Sequence, residues 1–269
     1  MISDITFGQF FPSDSFVHKV DPRVKLLLTV LFIAGLFIAK TFSGYVIAFA
    51  FLLAIIFLSK VPMKMMLRNL KPLRFIIILM VILNVFFVKT GNVLVEWWIF
   101  KVTDEGLIQA AFVVIRLVLL ILFTALLTLT TSPLALTNAL ESLLKPLTYV
   151  KFPVHEMAMM MTIALRFIPT LIEETDKIMK AQAARGTSFD TGNLMQKIKS
   201  MIPLLIPLFI SAFRRADDLA LAMTARCYNG GKGRTRMNPL KMNWTDVAVL
   251  VGCTLVMAAM VVPNYIGWI

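Results

Sequence analysis

Two arginines are the residues best placed to act on something outside the chain. Arg185 closes the run R-F-I-P-T-L-I-E-E-T-D-K-I-M-K-A-Q-A-A-R-G, and Arg226 closes P-L-F-I-S-A-F-R-R-A-D-D-L-A-L-A-M-T-A-R-C, 41 residues further on. Aligning the arginines sets Asp176 opposite Asp217, Ala181 opposite Ala222 and Ala184 opposite Ala225. A guanidinium is a flat fork of donors, suited to the carboxylates and backbone carbonyls of a partner. The small neighbours Ala184, Gly186 and Ala225 let another surface come close. At either site alone, an arginine that completes the helix dipole is explanation enough. Two such sites, each followed by a Gly-bearing turn, point to one task done twice. They suit a partner that is itself paired.

Other chemistry has little to work with. No G-x-x-x-x-G-K-[ST] is present; Gly230-Gly231-Lys232-Gly233 resembles one only in composition, so no ATP hydrolysis is expected of the chain itself. His155-Glu156 opens an H-E-x-x-H, but Met159 holds the second histidine position. There is no G-x-S-x-G nucleophile elbow and no acidic pair within an apolar run. With His18 and His155 the only histidines, a metal or acid–base centre is not expected and no cofactor is implied. Cys227 and Cys253 suggest neither a disulfide framework nor a zinc site.

The elements that carry these arginines belong to a membrane protein. The 269 residues are 59% hydrophobic and 16% charged, with mean hydropathy +0.83. Ordinary soluble domains are about 45–50% apolar and about 25% charged. The formal charge of +12 fits basic residues gathered on the cytoplasmic side of a bilayer better than a nucleic-acid partner. The N-terminal segment carries Asp4, Asp14 and Asp21 and lacks the order of a cleavable signal, so it is expected to stay in the cytoplasm.

In chain order, Asp21 is an expected N-cap with Pro22 in the first turn. The apolar runs Val24–Phe42 and Tyr45–Leu58 follow, with Ser43-Gly44 as the break between them. Lys60, Lys64, Arg68, Lys71 and Arg74 come next without an acidic residue. With the interleaved Met63, Met65, Met66, Leu67 and Leu70 they predict an amphipathic helix in the membrane interface. Phe75–Val88 crosses outward, and 89–105 reads as an outer loop with an aromatic belt at Trp97-Trp98. Gly106–Thr131 crosses back with Arg116 inside the span, either a functional charge or one that snorkels or pairs with a backbone carbonyl. Thr131-Ser132-Pro133 starts an amphipathic helix over Leu134–Leu147 that is too short to span. The first long helix begins near Val154, with Glu156 in its first turn, a kink expected at Pro169, and a charged second half. Residues 187–199 read as a polar connection, and the second long helix is apolar from Met201 to Phe213. Trp244–Pro263 is the last span.

The expected fold is an all-α integral membrane protein. It has about five transmembrane helices plus two or three long amphipathic helices on the cytoplasmic side. Its parts are 1–131 (a membrane domain of four spans), 132–242 (the long-helix region) and 243–269 (the final span). The N-terminus is inside and the C-terminus outside. A seven-span alternative counts 154–172 and 201–223 as crossings, but both turn charged partway.

The run T-L-T-T-S-P-L-A-L-T-N-A-L-E-S-L-L-K-P-L, the two arginine-terminated runs above, and the N-terminal H-K-V-D-P-R-V-K-L together resemble the transmembrane T component of energy-coupling factor (ECF) transporters. The resemblance covers nearly the whole chain and is strongest over 128–228. It implies a bacterial cell-membrane subunit that joins two ABC-type ATPases, a heterodimer, to a substrate-binding S component for a vitamin or metal ion. The family's two Ala-Arg-Gly motifs end coupling helices and dock on the ATPases. They map onto Ala184-Arg185-Gly186 and Ala225-Arg226-Cys227, the second departing from the pattern at Cys227. Met157, Met160, Met161, Leu204 and Leu208 are the implied S-component contacts, and the cluster Met157, Met159, Met160, Met161 fits a surface serving several partners or ordinary core filling. Two rivals stand beside the shared form. One is a dedicated form for a single substrate such as cobalt, nickel or biotin. The other is a stand-alone carrier or channel, for which only Arg116 and Asn84 offer mid-membrane polarity.

Overall fold

The computed structural model describes residues 10–39, 41–88, 93–97, 100–186, 194–231 and 240–266. Two units emerge. One comprises Gly8–Ala139 with Leu240–Ile269, the other Leu140–Pro239.

The first unit opens with α1 (Phe16–Lys19) and α2 (Pro22–Ile38). Ser15 caps α1, and the Asp21 carboxylate accepts the Arg23 N–H at 2.8 Å to start α2, with Pro22 in the first turn as expected. Burial holds His18 below the usual imidazole range. The neutral ring donates from Nε2 to the Phe11 carbonyl (2.9 Å) and accepts from the Ser15 hydroxyl at Nδ1 (2.6 Å). Next come α3 (Phe42–Ser59), the short α4 (Met63–Arg68) and α5 (Arg74–Phe87). A hairpin of β1 (Val93–Trp97) and β2 (Phe100–Thr103) leads into α6 (Asp104–Thr130). Here α7 (Pro133–Leu144) begins, and α10 (Trp244–Val261) with α11 (Pro263–Ile266) returns to this unit.

Three expectations need correction. The first two apolar runs do not part at Ser43-Gly44: α2 ends at Ile38 and α3 begins at Phe42, so Ser43-Gly44 lies in the first turn of α3. Gly44 is there for packing: a Cβ on it would stand 2.7 Å from the Met260 carbonyl oxygen, so only glycine lets α3 and α10 approach this closely. The basic segment is helical over only six residues before a 3₁₀ turn (Lys71–Leu73), so it is no single interfacial helix. In the stretch read as an outer loop, Val93–Trp97 and Phe100–Thr103 pair as antiparallel strands, with Trp97 opposite Phe100. Trp98 lies outside the described residues.

The core is aromatic at its centre. Phe32 of α2 stacks on Phe123 of α6 with ring centroids 4.0 Å apart, and Phe51 of α3 lies 6.1 Å from Phe32. Leu36, Leu52, Leu129 and Met260 close around them. Arg116 belongs to this packing. Its Nε and Nη2 donate to the Tyr45 hydroxyl (2.9 and 2.6 Å), Nη2 also reaches the Ala39 carbonyl (3.4 Å), and Tyr45 donates to that same carbonyl (3.1 Å). The charge thus caps the C-terminal end of α2. Asn84 donates to the Met80 carbonyl one turn back.

Among the described residues, four stretches are by length and composition able to cross a membrane: Phe42–Ser59, Met63–Phe87, Asp104–Thr130 and Trp244–Val261. Helix α2, 17 residues and ~26 Å long, is packed among them. An all-α membrane protein is therefore what the chain builds.

Candidate functional site

The second unit is dominated by α8 (Val154–Ala184) and α9 (Leu194–Ala225), 31 and 32 residues long. Helix α8 starts at the expected residue and runs continuously through Pro169. Helix α9 starts at Leu194, so 194–199, expected in a connection, are helical; 187–193 lie outside the described residues. Pro203 and Pro207 stand inside α9 without ending it.

Both helices stop in the same way. At the end of α8, Ala184 is the last helical residue, Arg185 is the C-cap, and Gly186 follows at φ +91° with its N–H on the Ala183 carbonyl (3.0 Å). At the end of α9, Ala225 is last and Arg226 follows, with its N–H on the Ala222 and Met223 carbonyls (3.2 Å each). Cys227 then takes φ +58°. The Cys227 N–H donates to the Thr224 carbonyl (2.9 Å) and the Tyr228 N–H to that of Met223 (2.9 Å). Those two bonds form a Schellman motif with cysteine in the left-handed position that glycine normally fills. Ala184-Arg185-Gly186 and Ala225-Arg226-Cys227 therefore hold the same three cap positions. All six residues are exposed.

The two helices pack side by side. Arg215 of α9 donates to Glu174 of α8 at 3.4 Å, and Gln182 of α8 donates to the Pro203 carbonyl of α9 at 3.4 Å. As α8 advances from 174 to 182, its partner runs back from 215 to 203, so the pair is antiparallel. Glu174 and Arg215 are themselves 41 residues apart, the same offset as the two arginine tips. Equivalent positions of the repeat thus meet at the crossing. Each tip lies 11 residues beyond it, ~16 Å along its own helix, and in opposite directions. The motifs are not brought together; they are held apart at two ends of one strut.

Of the expected S-component contacts, Met160 and Met161 are exposed, while Met157, Leu204 and Leu208 are half-buried. The larger apolar surface was missed: Ile202, Leu205, Ile206, Phe209, Ile210 and Phe213 form an exposed stripe along α9. Their spacing at i, i+3, i+4, i+7 and i+8 is the signal that could have found them. Near the start of α8, His155 Nδ1 lies 3.1 Å from Glu141.

An all-α chain whose described residues include four stretches apolar and long enough to cross a bilayer defines a class: a multi-pass membrane protein. The comparisons agree. A family model for cobalt transport proteins (CbiQ) matches residues 13–237. The energy-coupling factor transporter transmembrane protein EcfT of Clostridium kluyveri is 52% identical over 269 residues, covering 100% of this chain and 99% of that protein. The EcfT proteins of Thermosediminibacter oceani (52% over 263 residues; 98% and 99% covered) and Bacillus subtilis (44% over 260 residues; 97% and 98%) align almost as fully. The chain belongs to this family of energy-coupling factor transporter transmembrane proteins.

Proposed function

We propose that this chain is the non-catalytic coupling subunit of an ECF-type ABC importer in the bacterial cell membrane. It passes the ATP-driven motion of two ATPase subunits, a heterodimer, to a substrate-binding S component for a vitamin or metal ion, and it is shared among several S components. The observation that supports this reading is the strut itself: two equivalent arginine-bearing caps ~30 Å apart on one antiparallel pair. A clamp of two ATPases that closes on ATP has two grooves to offer such tips. Because the tips lie at opposite ends, drawing them together rotates α8 against α9 about the Glu174–Arg215 crossing. The apolar stripe of α9, with Met160 and Met161, then moves whatever membrane protein lies on it. The N-terminus is placed in the cytoplasm and the C-terminus outside. Residues 132–242 act as the coupling region between the membrane domain 1–131 and the final span 243–269.

A dedicated cobalt importer is the second reading, supported by the description of the family model; the relatives' printed names carry no substrate. One pull-down tests both. The tagged protein is isolated in mild detergent from its own membranes, with and without Arg185→Glu plus Arg226→Glu. Two ATPase subunits are expected with the unaltered chain and lost with the double variant, while several small membrane proteins remain with both. A single retained S component would favour the dedicated form. A chain that purifies alone and transports in liposomes without ATPases would overturn the proposal.

A further inference from the structure

A cleft of about 410 Å³ opens in the first unit between α1, α2, α3, α6 and α10, within the volume range of small-molecule sites (about 300–1,000 Å³). Its wall is hydrocarbon almost throughout, with Val20, Leu28, Phe51, Phe123, Leu126 and Val256 among its lining residues. The hydroxyls on it are already used: Thr29 donates to the Lys25 carbonyl (2.8 Å) and Thr130 to that of Leu126 (2.8 Å). The remaining polar groups are the weakly polar Cys253 thiol and the Lys25 ammonium. The ammonium donates to the His18 carbonyl (3.1 Å) and the Thr130 carbonyl (3.0 Å), which leaves one of its three N–H groups unassigned.

Water does not suit this space. A buried water needs about two to four polar partners, and around 410 Å³ the wall offers one spare ammonium N–H, a weak thiol and two hydroxyl oxygens that already donate elsewhere. Left empty, a cavity of this size forfeits dispersion contacts along its whole lining. The cleft also has a way in. Ala54 on α3 and Gly252 on α10 both line it and both are exposed, on helices able to cross the membrane. A Cβ on Gly252 would touch nothing within 4 Å. Lys25 lies in the first turn of α2, where a helix enters the bilayer and lipid headgroups sit.

We propose that this cleft binds the acyl chain of a membrane phospholipid, entering past Ala54 and Gly252, with the headgroup hydrogen-bonded by the spare N–H of Lys25. The bound chain completes the packing of α2, α3, α6 and α10. The site is separate from the helix tips and does not depend on what they dock.

The test uses the protein, with whatever copurifies, in nanodiscs containing phosphatidylglycerol that carries a photoactivatable diazirine in its acyl chain. After irradiation, labelling of peptides from α10 and α6 is compared with labelling of α5, which has no buried residue and serves as the bulk-lipid control. Several-fold enrichment on α10 and α6 is expected for the unaltered chain and for Gly252→Ala. Gly252→Phe and Ala54→Phe, which fill the mouth, should remove the enrichment and leave α5 labelling as it was. Labelling no greater than on α5, whether because the cleft is empty or because a partner protein covers it, would overturn the proposal. So would enrichment that survives both Phe variants. Native mass spectrometry of the unaltered chain gives a reading independent of the variants: one retained phospholipid is expected, and none would count against the site.

Discussion

At the residue scale, the two tips differ at one position, and the backbone says what the difference costs. Gly186 and Cys227 both follow the C-cap in left-handed conformations. Glycine meets no penalty there, whereas a residue with a Cβ meets about 1–2 kcal/mol. Two features keep Cys227 in place: the pair of Schellman hydrogen bonds and the exposed surroundings of the tip. Cys227→Gly should therefore stabilise the end of α9 by up to about 1 kcal/mol, once the greater freedom of glycine in the unfolded chain is counted against it. Hydrogen exchange of the Cys227 and Tyr228 amides would slow in the variant. Unchanged or faster exchange would mean that the cysteine relieves its strain in another way.

At the element scale, a single carboxylate ties two helix starts together. Asp246, 4% exposed, accepts the Asn243 N–H at 2.9 Å, as the N3 residue of a capping box on α10. Its other oxygen accepts the Asp21 N–H at 3.0 Å, at the start of α2. Asp246→Ala orphans two backbone donors 222 residues apart in sequence, and it should cost about 2–4 kcal/mol. Thermal unfolding in detergent is the measurement; a loss below that of an ordinary exposed cap would show that water replaces the carboxylate. The Glu174–Arg215 pair at the strut crossing is a contrasting case. Half-exposed and 3.4 Å long, it adds under about 1 kcal/mol, and its interest is geometric.

At the scale of the whole molecule, the question is which helices cross the membrane. Both α8 and α9 turn charged partway, and neither is among the stretches able to span. If both lie on one side, a cysteine at Lys180 and another at Asn229, both exposed, face the same compartment. Introduced singly into a Cys227→Ser, Cys253→Ala background, both should react with a membrane-impermeant maleimide in inside-out vesicles and neither in right-side-out ones. Seven spans would place the two sites on opposite faces and divide the labelling between the two preparations.

Much of this was legible in the chain because it is local. Composition marks a membrane protein, since a bilayer admits only segments apolar over their length. Asp21 and Ser132 announce helix starts through hydrogen bonds that span a few residues, which the structure makes, and Pro22 announces one through its fixed φ. The repeat at a 41-residue offset was readable as sequence alone. What the repeat builds was not. That Glu174 meets Arg215 and sends the tips opposite ways depends on two helices crossing, and no local pattern carries that. Gly44 was misread for the same reason: a glycine beside a serine looks like a turn until α10 is seen against it. Arg116 showed as an anomaly in the sequence, but its partners, Tyr45 and Ala39, lie more than 70 residues away. The sequence by itself determined the solvent each segment needs and the caps that start and stop it, because these are short-range energies. Only the tertiary structure decided which surfaces meet, because close packing depends on shape brought together from distant parts of the chain.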